Sequence, residues 1–350
     1  MLRSRSYIAT PPGATIKEQL EDRGMSQKEF AARMDMSEKH VSNLINGDVK
    51  ITPDTAYKLE IVLGVPAEFW NNLEAIYRSK IAKVNAENAM DSDMEIARRF
   101  PYGEMAKYNW VPATKDPKEK VLNLRKYFEV VQLSLLDNEQ ITKIACRRLA
   151  TTEKSNLALI AWAQRVKIQS RNISVEPINL DRLVDFIPEF KHMTLLDPKD
   201  FVPQLKMDFA RCGVALVFVP HLKGSFLHGA SFVDGNKIVI GITARGKDAD
   251  RFWFSLFHEI AHILLGHIGQ YGGISEEDEK RADGYARDML IDQDAFLAFK
   301  EKKDYSRQSV LMFAKEQGIA PGIVVGRMQT ERMLLHNELN DLKEKYKIVS

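Results

Sequence analysis

Two histidines four residues apart with a glutamate between them, His258, Glu259 and His262, interrupt the otherwise apolar stretch "FWFSLFHEIAHILLGH". On a helix, positions i and i+4 lie one turn apart on one face, so both imidazoles can aim at a single point. Glu259 falls at the edge of that face, where it reaches a water beside a cation without ligating the cation. A helix this apolar is expected to be buried. Burying two imidazoles and a carboxylate is costly unless something satisfies them, and a zinc ion satisfies all three. Further on, "EDEKRADGYA" sets Glu279 and Asp283 four apart on one face of a second helix. Glu279 would complete a His/His/Glu ligand set with an open fourth position, the arrangement of a catalytic zinc site. Asp283 would hold a ligand imidazole in one tautomer from behind.

Positioning these groups requires a scaffold, and the chain supplies recognisable parts. Ahead of the helix, "GVALVFV", "ASFVDG" and "KIVIGIT" are β-branched runs, with Asp234-Gly235-Asn236 as a hairpin signal. They predict a small antiparallel sheet whose strand "KIVIGIT" pairs with an extended substrate by edge addition. Residues 114–200 show the three-to-four spacing of helices, and 81–113, with "NAENAMDSDME", read as a linker. Near the start, Ser26, Ser37 and Thr52 stand as N-caps and Gly24 and Gly47 as stops, so five short helices are expected before about residue 80. The expected chain is mainly α. It comprises a five-helix domain over 1–80, a linker and helical middle region over 81–200, and an α+β domain over 201–350.

The totals narrow the functional classes. The 350 residues carry 50 Lys and Arg against 48 Asp and Glu, which argues against a wholesale polyanion binder and makes any nucleic-acid contact local. Cys146 and Cys212 form no C-x-x-C pair, which points to a reducing compartment and leaves no cysteine-built metal site. No run of about 18 apolar residues occurs, so a cytoplasmic protein without a membrane partner is expected.

Ser26-Gln27 followed by Ser37 matches a helix-turn-helix whose second helix enters the major groove. Gln27 would hold a phosphate, while Ser37, Lys39, His40, Ser42 and Asn43 lie at or on the second helix where base edges would be. From Ala14 to Lys80 nine basic residues face eleven acidic ones, and Glu38 sits at the entrance of that helix, so a protein-docking role competes with DNA binding. Residues 141–172 carry Lys143, Arg147, Arg148, Lys154, Arg165, Lys167 and Arg171 against Glu153 alone. They read as a solvated helical face or a surface for an acidic partner.

Two resemblances follow from these residues. "RFWFSLFHEIAHILLGH", then "EKRADGYARDMLI" and "FAKEQGIAPGIVVGRMQ", resemble the ImmA/IrrE metallopeptidases, with "MLID" where a Leu-Met-Pro turn is usual. The block "SQKEFAARMDMSEKHVSNLINGDVKITPDTAYKLEIVLGVPAEFWNNLEAIY" resembles the Xre-type helix-turn-helix of HigA-like antitoxins. The first resemblance implies a zincin-like fold, Zn2+, and hydrolysis of a peptide bond in a repressor or in this chain itself, with Glu259 taking the proton of the attacking water. His267, Tyr271 and His336 are candidates to steady the oxyanion. The second implies operator DNA as a partner and a homodimer. Three functions are compatible with the pair: a DNA-bound regulator with a zinc endopeptidase, a non-proteolytic antitoxin-like regulator that senses a signal or partner through its zinc domain, and a toxin acting on a cellular target.

Overall fold

The computed structural model describes residues 2–4, 7–137, 153–225, 228–243, 248–268 and 274–346. They divide into two compact units, Met1–Glu95 and Ile96–Ser350.

In the first unit a short antiparallel pair, β1 (Leu2–Arg3) and β2 (Ile8–Ala9), precedes helices α1 (Gly13–Asp22), α2 (Gln27–Met34), α3 (Glu38–Asn46), α4 (Pro53–Leu63) and α5 (Ala67–Asn88). Local chemistry sets the breaks. Ser26, Ser37 and Thr52 each accept a hydrogen bond from a backbone N–H in the first turn of the helix that follows. Asp35, Gly47 and Gly64 end α2, α3 and α4 in the left-handed region. Ile16, Leu20, Phe30, Met34, Val41, Leu44, Leu59 and Trp70 form the common core.

Helices α1 and α3 approach so closely that a methyl group at Gly13 would fall 1.9 Å from the Ile45 carbonyl oxygen. Backbone cannot yield as a flexible side chain does. Gly13→Ala is therefore expected to destabilise this unit by about 1–3 kcal/mol, the usual cost of overpacking. A denaturant midpoint equal to the wild type's would refute that.

The expected linker is helical instead. Helix α5 runs to Asn88 because Tyr77, Ile81 and Val84 continue its apolar face and pack with Ala9 of β2. Then come α6 (Met90–Arg99), inside which the division between units falls, and α7 (Tyr102–Lys107).

The second unit continues with α8 (Pro117–Phe128), α9 (Glu153–Ser170), α10 (Leu180–Asp185), α11 (Ile187–His192) and α12 (Pro198–Arg211). Strands β3 (Val214–Val219), β4 (Gly229–Asp234) and β5 (Lys237–Thr243) lead into α13 (Ala249–Leu264) and α14 (Glu276–Leu290). After these come α15 (Gln293–Glu301), α16 (Arg307–Gln317) and α17 (Pro321–Thr330). Strands β4 and β5 form the expected antiparallel hairpin, with Asp234 opposite Lys237. Strand β3, however, runs parallel to β5, so the sheet is mixed, in the order β3-β5-β4. This corrects two expectations at once: the sheet is not purely antiparallel, and "KIVIGIT" is its central strand with no free edge. The outer edge nearer the histidine helix belongs to β4. Every residue of β3 is buried, as befits a parallel strand covered on both faces.

Helix α13 lies in the largest core, where Trp253, Leu256, Phe257 and Ile260 pack with Phe201, Val324 and Met328. Its end and the start of α14 carry the candidate ligands. No helix among the described residues is long and apolar enough to cross a membrane.

Candidate functional site

His258 and His262 project from α13 toward Glu279 on α14. The His258 and His262 Nε2 atoms are 3.0 Å apart. The Glu279 carboxylate lies 3.3 Å from the first and 3.8 Å from the second. Arms of about 2.0–2.1 Å from a tetrahedral Zn2+ set neighbouring donors roughly 3.3 Å apart, so the three separations bracket what that ion requires. Among the described residues these three form the one cluster able to hold a metal. Asp283, one turn along α14 from Glu279, places Oδ1 2.8 Å from His258 Nδ1. It therefore fixes the His258 ring with Nε2 toward the shared point.

The network orders the protons. Burial alone would lower the pKa of His258, but hydrogen bonds to Asp283 and Glu279 outweigh it and push the value up to about 10. Burial, followed by the charge of His258, pushes His262 down to about 4. A charged His258 thus faces the Asp283 carboxylate with Nδ1 at 2.8 Å and the lone pair of a neutral His262 with Nε2 at 3.0 Å. Zinc must take a lone pair from His258 Nε2, which the charged ring lacks, so uptake at pH 7 is expected to release about one proton from this residue. Because the folded-state pKa is raised, protons compete below about 10. The apparent zinc affinity should then fall by up to about tenfold for each pH unit lost. Calorimetry in buffers of differing ionisation enthalpy counts the protons, and a count of zero would refute the ordering.

Glu259, next to His258 on α13, lies against β4. It is 5% exposed, and a methyl group at Gly229 would fall 2.8 Å from its Oε1. A side chain at this position would require Glu259 to shift. Burial pushes the Glu259 pKa up to about 7, against the opposing pull of His258 and the Ser231 hydroxyl. A carboxyl group with that pKa can both take and return a proton near neutrality.

In the first unit, α2 and α3 are joined by a turn through Asp35, whose φ is 53°. Gln27 and Lys39 are exposed, while His40, Ser42 and Asn43 are half-buried on the flank of α3 not occupied by Val41 and Leu44. The Ser37 hydroxyl accepts from the His40 N–H at 3.2 Å, so its first task is to cap the helix. Glu38 is exposed in the first turn of α3.

A helix-turn-helix family model matches residues 16–70, and a peptidase-family model, the IrrE N-terminal-like domain, matches residues 216–328. The chain is similar to the HTH-type transcriptional regulator YddM of Escherichia coli (strain K12). The identity is 36% over 63 residues, 18% of this chain and 67% of the relative. This chain joins an Xre-like helix-turn-helix regulator domain to an IrrE-like domain. A solved structure of an addiction module antidote protein of a HigA family from Coxiella burnetii is 29% identical. It spans 24% of this chain and 94% of its own, with a TM-score of 0.22.

Within the IrrE-like domain the structure adds residues that spacing did not reveal. His267, one of the oxyanion candidates, is 2% exposed behind His262 with its Nδ1 3.0 Å from His262 Nδ1, so it faces the back of a ligand. His336 is exposed and Tyr271 lies outside the described residues. Gly229 and Ser231 beside Glu259 had no signal beyond a β-branched run. Of the basic residues 143–171, Lys143, Arg147 and Arg148 fall outside the described residues, as does the Lys154 side chain. Lys167 and Arg171 are paired, with Asp234 and Glu129, so that part of the surface is internally neutralised.

Proposed function

We propose that this chain is a DNA-bound regulator whose IrrE-like domain is a zinc endopeptidase, and that its substrate is a helix-turn-helix repressor. The observation that carries this is the convergence of His258 Nε2, His262 Nε2 and the Glu279 carboxylate on one point, with the buried Glu259 carboxylate against β4, an outer strand of the sheet among the described residues. Bound there, zinc would polarise the scissile carbonyl and lower the pKa of a water. Glu259 then takes a proton at its carboxylate and returns it to the leaving amine. The β4 edge offers backbone groups to an extended substrate. A cavity of about 590 Å³ between α13, α14 and α17, walled by Phe254, Leu290 and Ile323 and reaching Asp283, has room for a substrate side chain.

Self-cleavage in the segment 81–113 is disfavoured by its helices, since pairing with a strand edge needs extended backbone. A separate protein is the better substrate. The deciding experiment incubates the full chain, with and without zinc, with purified helix-turn-helix repressors and reads intact masses. Metal-dependent scission of one of them is expected. If no repressor is cut at any zinc level, the reading is lost.

At the other end, Asn43 is assigned to base contact, and Lys39, exposed in the first turn of α3, to a phosphate instead of the base edge that its place on the helix suggests. Asn43→Ala is expected to weaken operator binding by about 1–3 kcal/mol and relax specificity at one position. Lys39→Ala should weaken all sequences alike and reduce the salt slope by about 0.9. Titrations at several salt concentrations separate the two, and identical behaviour of both variants would reject the assignment.

A further inference from the structure

The cavity beside the histidines is larger than one side chain needs. Its volume of about 590 Å³ is in the range of pockets that enclose a whole drug-sized ligand, so it has room for more than one group of a substrate. Its place follows from two helix faces. On α13 the lining residues Phe254 and Ser255 stand one turn ahead of His258, and on α14 the lining residues Lys280, Asp283 and Arg287 share one face. Asp283 lies 2.8 Å from His258 Nδ1. His228 also lines the space, and the next residue, Gly229, is the one against Glu259, so the start of β4 joins the cavity to that side chain.

The apolar wall is made by Phe254, Leu290, Ile291 and Ile323, and the charges around it differ in what they have left to give. Each carboxylate is already engaged. Asp250 Oδ2 lies 2.7 Å from Lys343 Nζ, and its Oδ1 is buried out of reach of a ligand. Asp283 faces His258, and Glu331 pairs with Arg327 at 3.1 Å and Lys300 at 3.8 Å. The Arg327 guanidinium is committed too, since it donates to the Ile291 carbonyl and the Gln293 side chain and lies 3.9 Å over the Phe296 ring. Arg251 keeps only a long contact with Asp248, at 3.8 Å. Lys280 and Arg287 are exposed, and among the described residues neither forms an ion pair with a carboxylate. An apolar wall thus stands beside two cations whose charge nothing answers. A lysine entering here would meet like charge with no carboxylate left to offset it, whereas a glutamate would be paired.

We infer that this cavity is a specificity subsite that takes an apolar side chain of the substrate together with an acidic one, and that Arg287, with Lys280 two turns away, selects the acid. The inference deepens the endopeptidase reading and rests on it, while the selection itself is a property of binding.

The test therefore measures binding first. Short fluorescein-labelled peptides of extended, threonine-rich sequence carry one leucine, with glutamate, glutamine or lysine on either side of it. They are titrated by anisotropy into the full-length Glu259→Gln chain with zinc, and cleavage of the same peptides by the wild type is read by mass. The glutamate peptide should bind about three- to tenfold more tightly than the glutamine peptide, the range for one or two exposed charge pairs, and the lysine peptide more weakly than both. Adding Arg287→Glu should invert the order of glutamate and lysine, and adding Arg287→Lys should keep it. Melting curves of the variants show whether they remain folded. Equal affinity for all peptides, binding of none of them, or an order that Arg287→Glu leaves unchanged in a folded chain overturns the inference. If the preference holds while the wild type cuts no peptide, the endopeptidase reading falls and the subsite stands. If the peptides bind and are cut without regard to charge, the endopeptidase reading stands and the subsite falls.

Discussion

Glu259→Gln is expected to lower the rate of substrate cleavage by about 10²- to 10⁴-fold, the usual contribution of a positioned general base, while the variant still binds one zinc per chain. The separation follows from geometry. The candidate ligands are His258, His262 and Glu279, whose donor atoms face one another. Glu259 lies instead against β4, where Gly229 leaves room for its Oε1. Glutamine fills the same volume, so neither strand nor helix need move, but an amide cannot take the proton. Single-turnover cleavage beside metal analysis of the same sample reads both quantities. Cleavage within tenfold of wild type would remove Glu259 from the chemistry. If instead the variant loses a cellular toxicity although wild type cuts no repressor, the domain acts on another target.

The second large effect is on metal binding. His262→Ala removes a ligand rather than a supporting partner, so its loss of zinc affinity should exceed the roughly 100-fold upper range for outer partners. Stability follows by mass action. An ion that binds only the folded chain adds about 4.1 kcal/mol at a thousandfold excess over its Kd, and at most about 1.4 kcal/mol once the Kd is more than 100-fold weaker, so zinc should raise the unfolding midpoint of the wild type far more than that of the variant. The alanine also leaves a buried space beside His267, so the variant is compared with itself, with and without zinc. Equal zinc content in both proteins would mean that the ion sits elsewhere.

Much of the architecture was legible because it is encoded locally. Ser26, Ser37 and Thr52 cap their helices through their own hydroxyls, and the Gly235-Asn236 turn joins two strands that pair directly with each other. The His258–His262 spacing and the Glu279–Asp283 spacing are properties of single helices, so the faces they share were readable without a fold. The antiparallel expectation for the whole sheet failed for the complementary reason. Alternation along a strand states which residues are buried, and nothing in "VALVFV" states beside which strand, or in which direction, it will lie.

By itself, then, the sequence determined the helix breaks, the apolar faces and the residue pairs one turn apart, because short-range hydrogen bonding and periodicity decide those. Only the tertiary structure decided that β5 lies inside the sheet and β4 at its edge, that Glu259 nests against Gly229, and that His267 stands behind His262. Each of these depends on side-chain packing or chain reversal between elements, which no local pattern specifies.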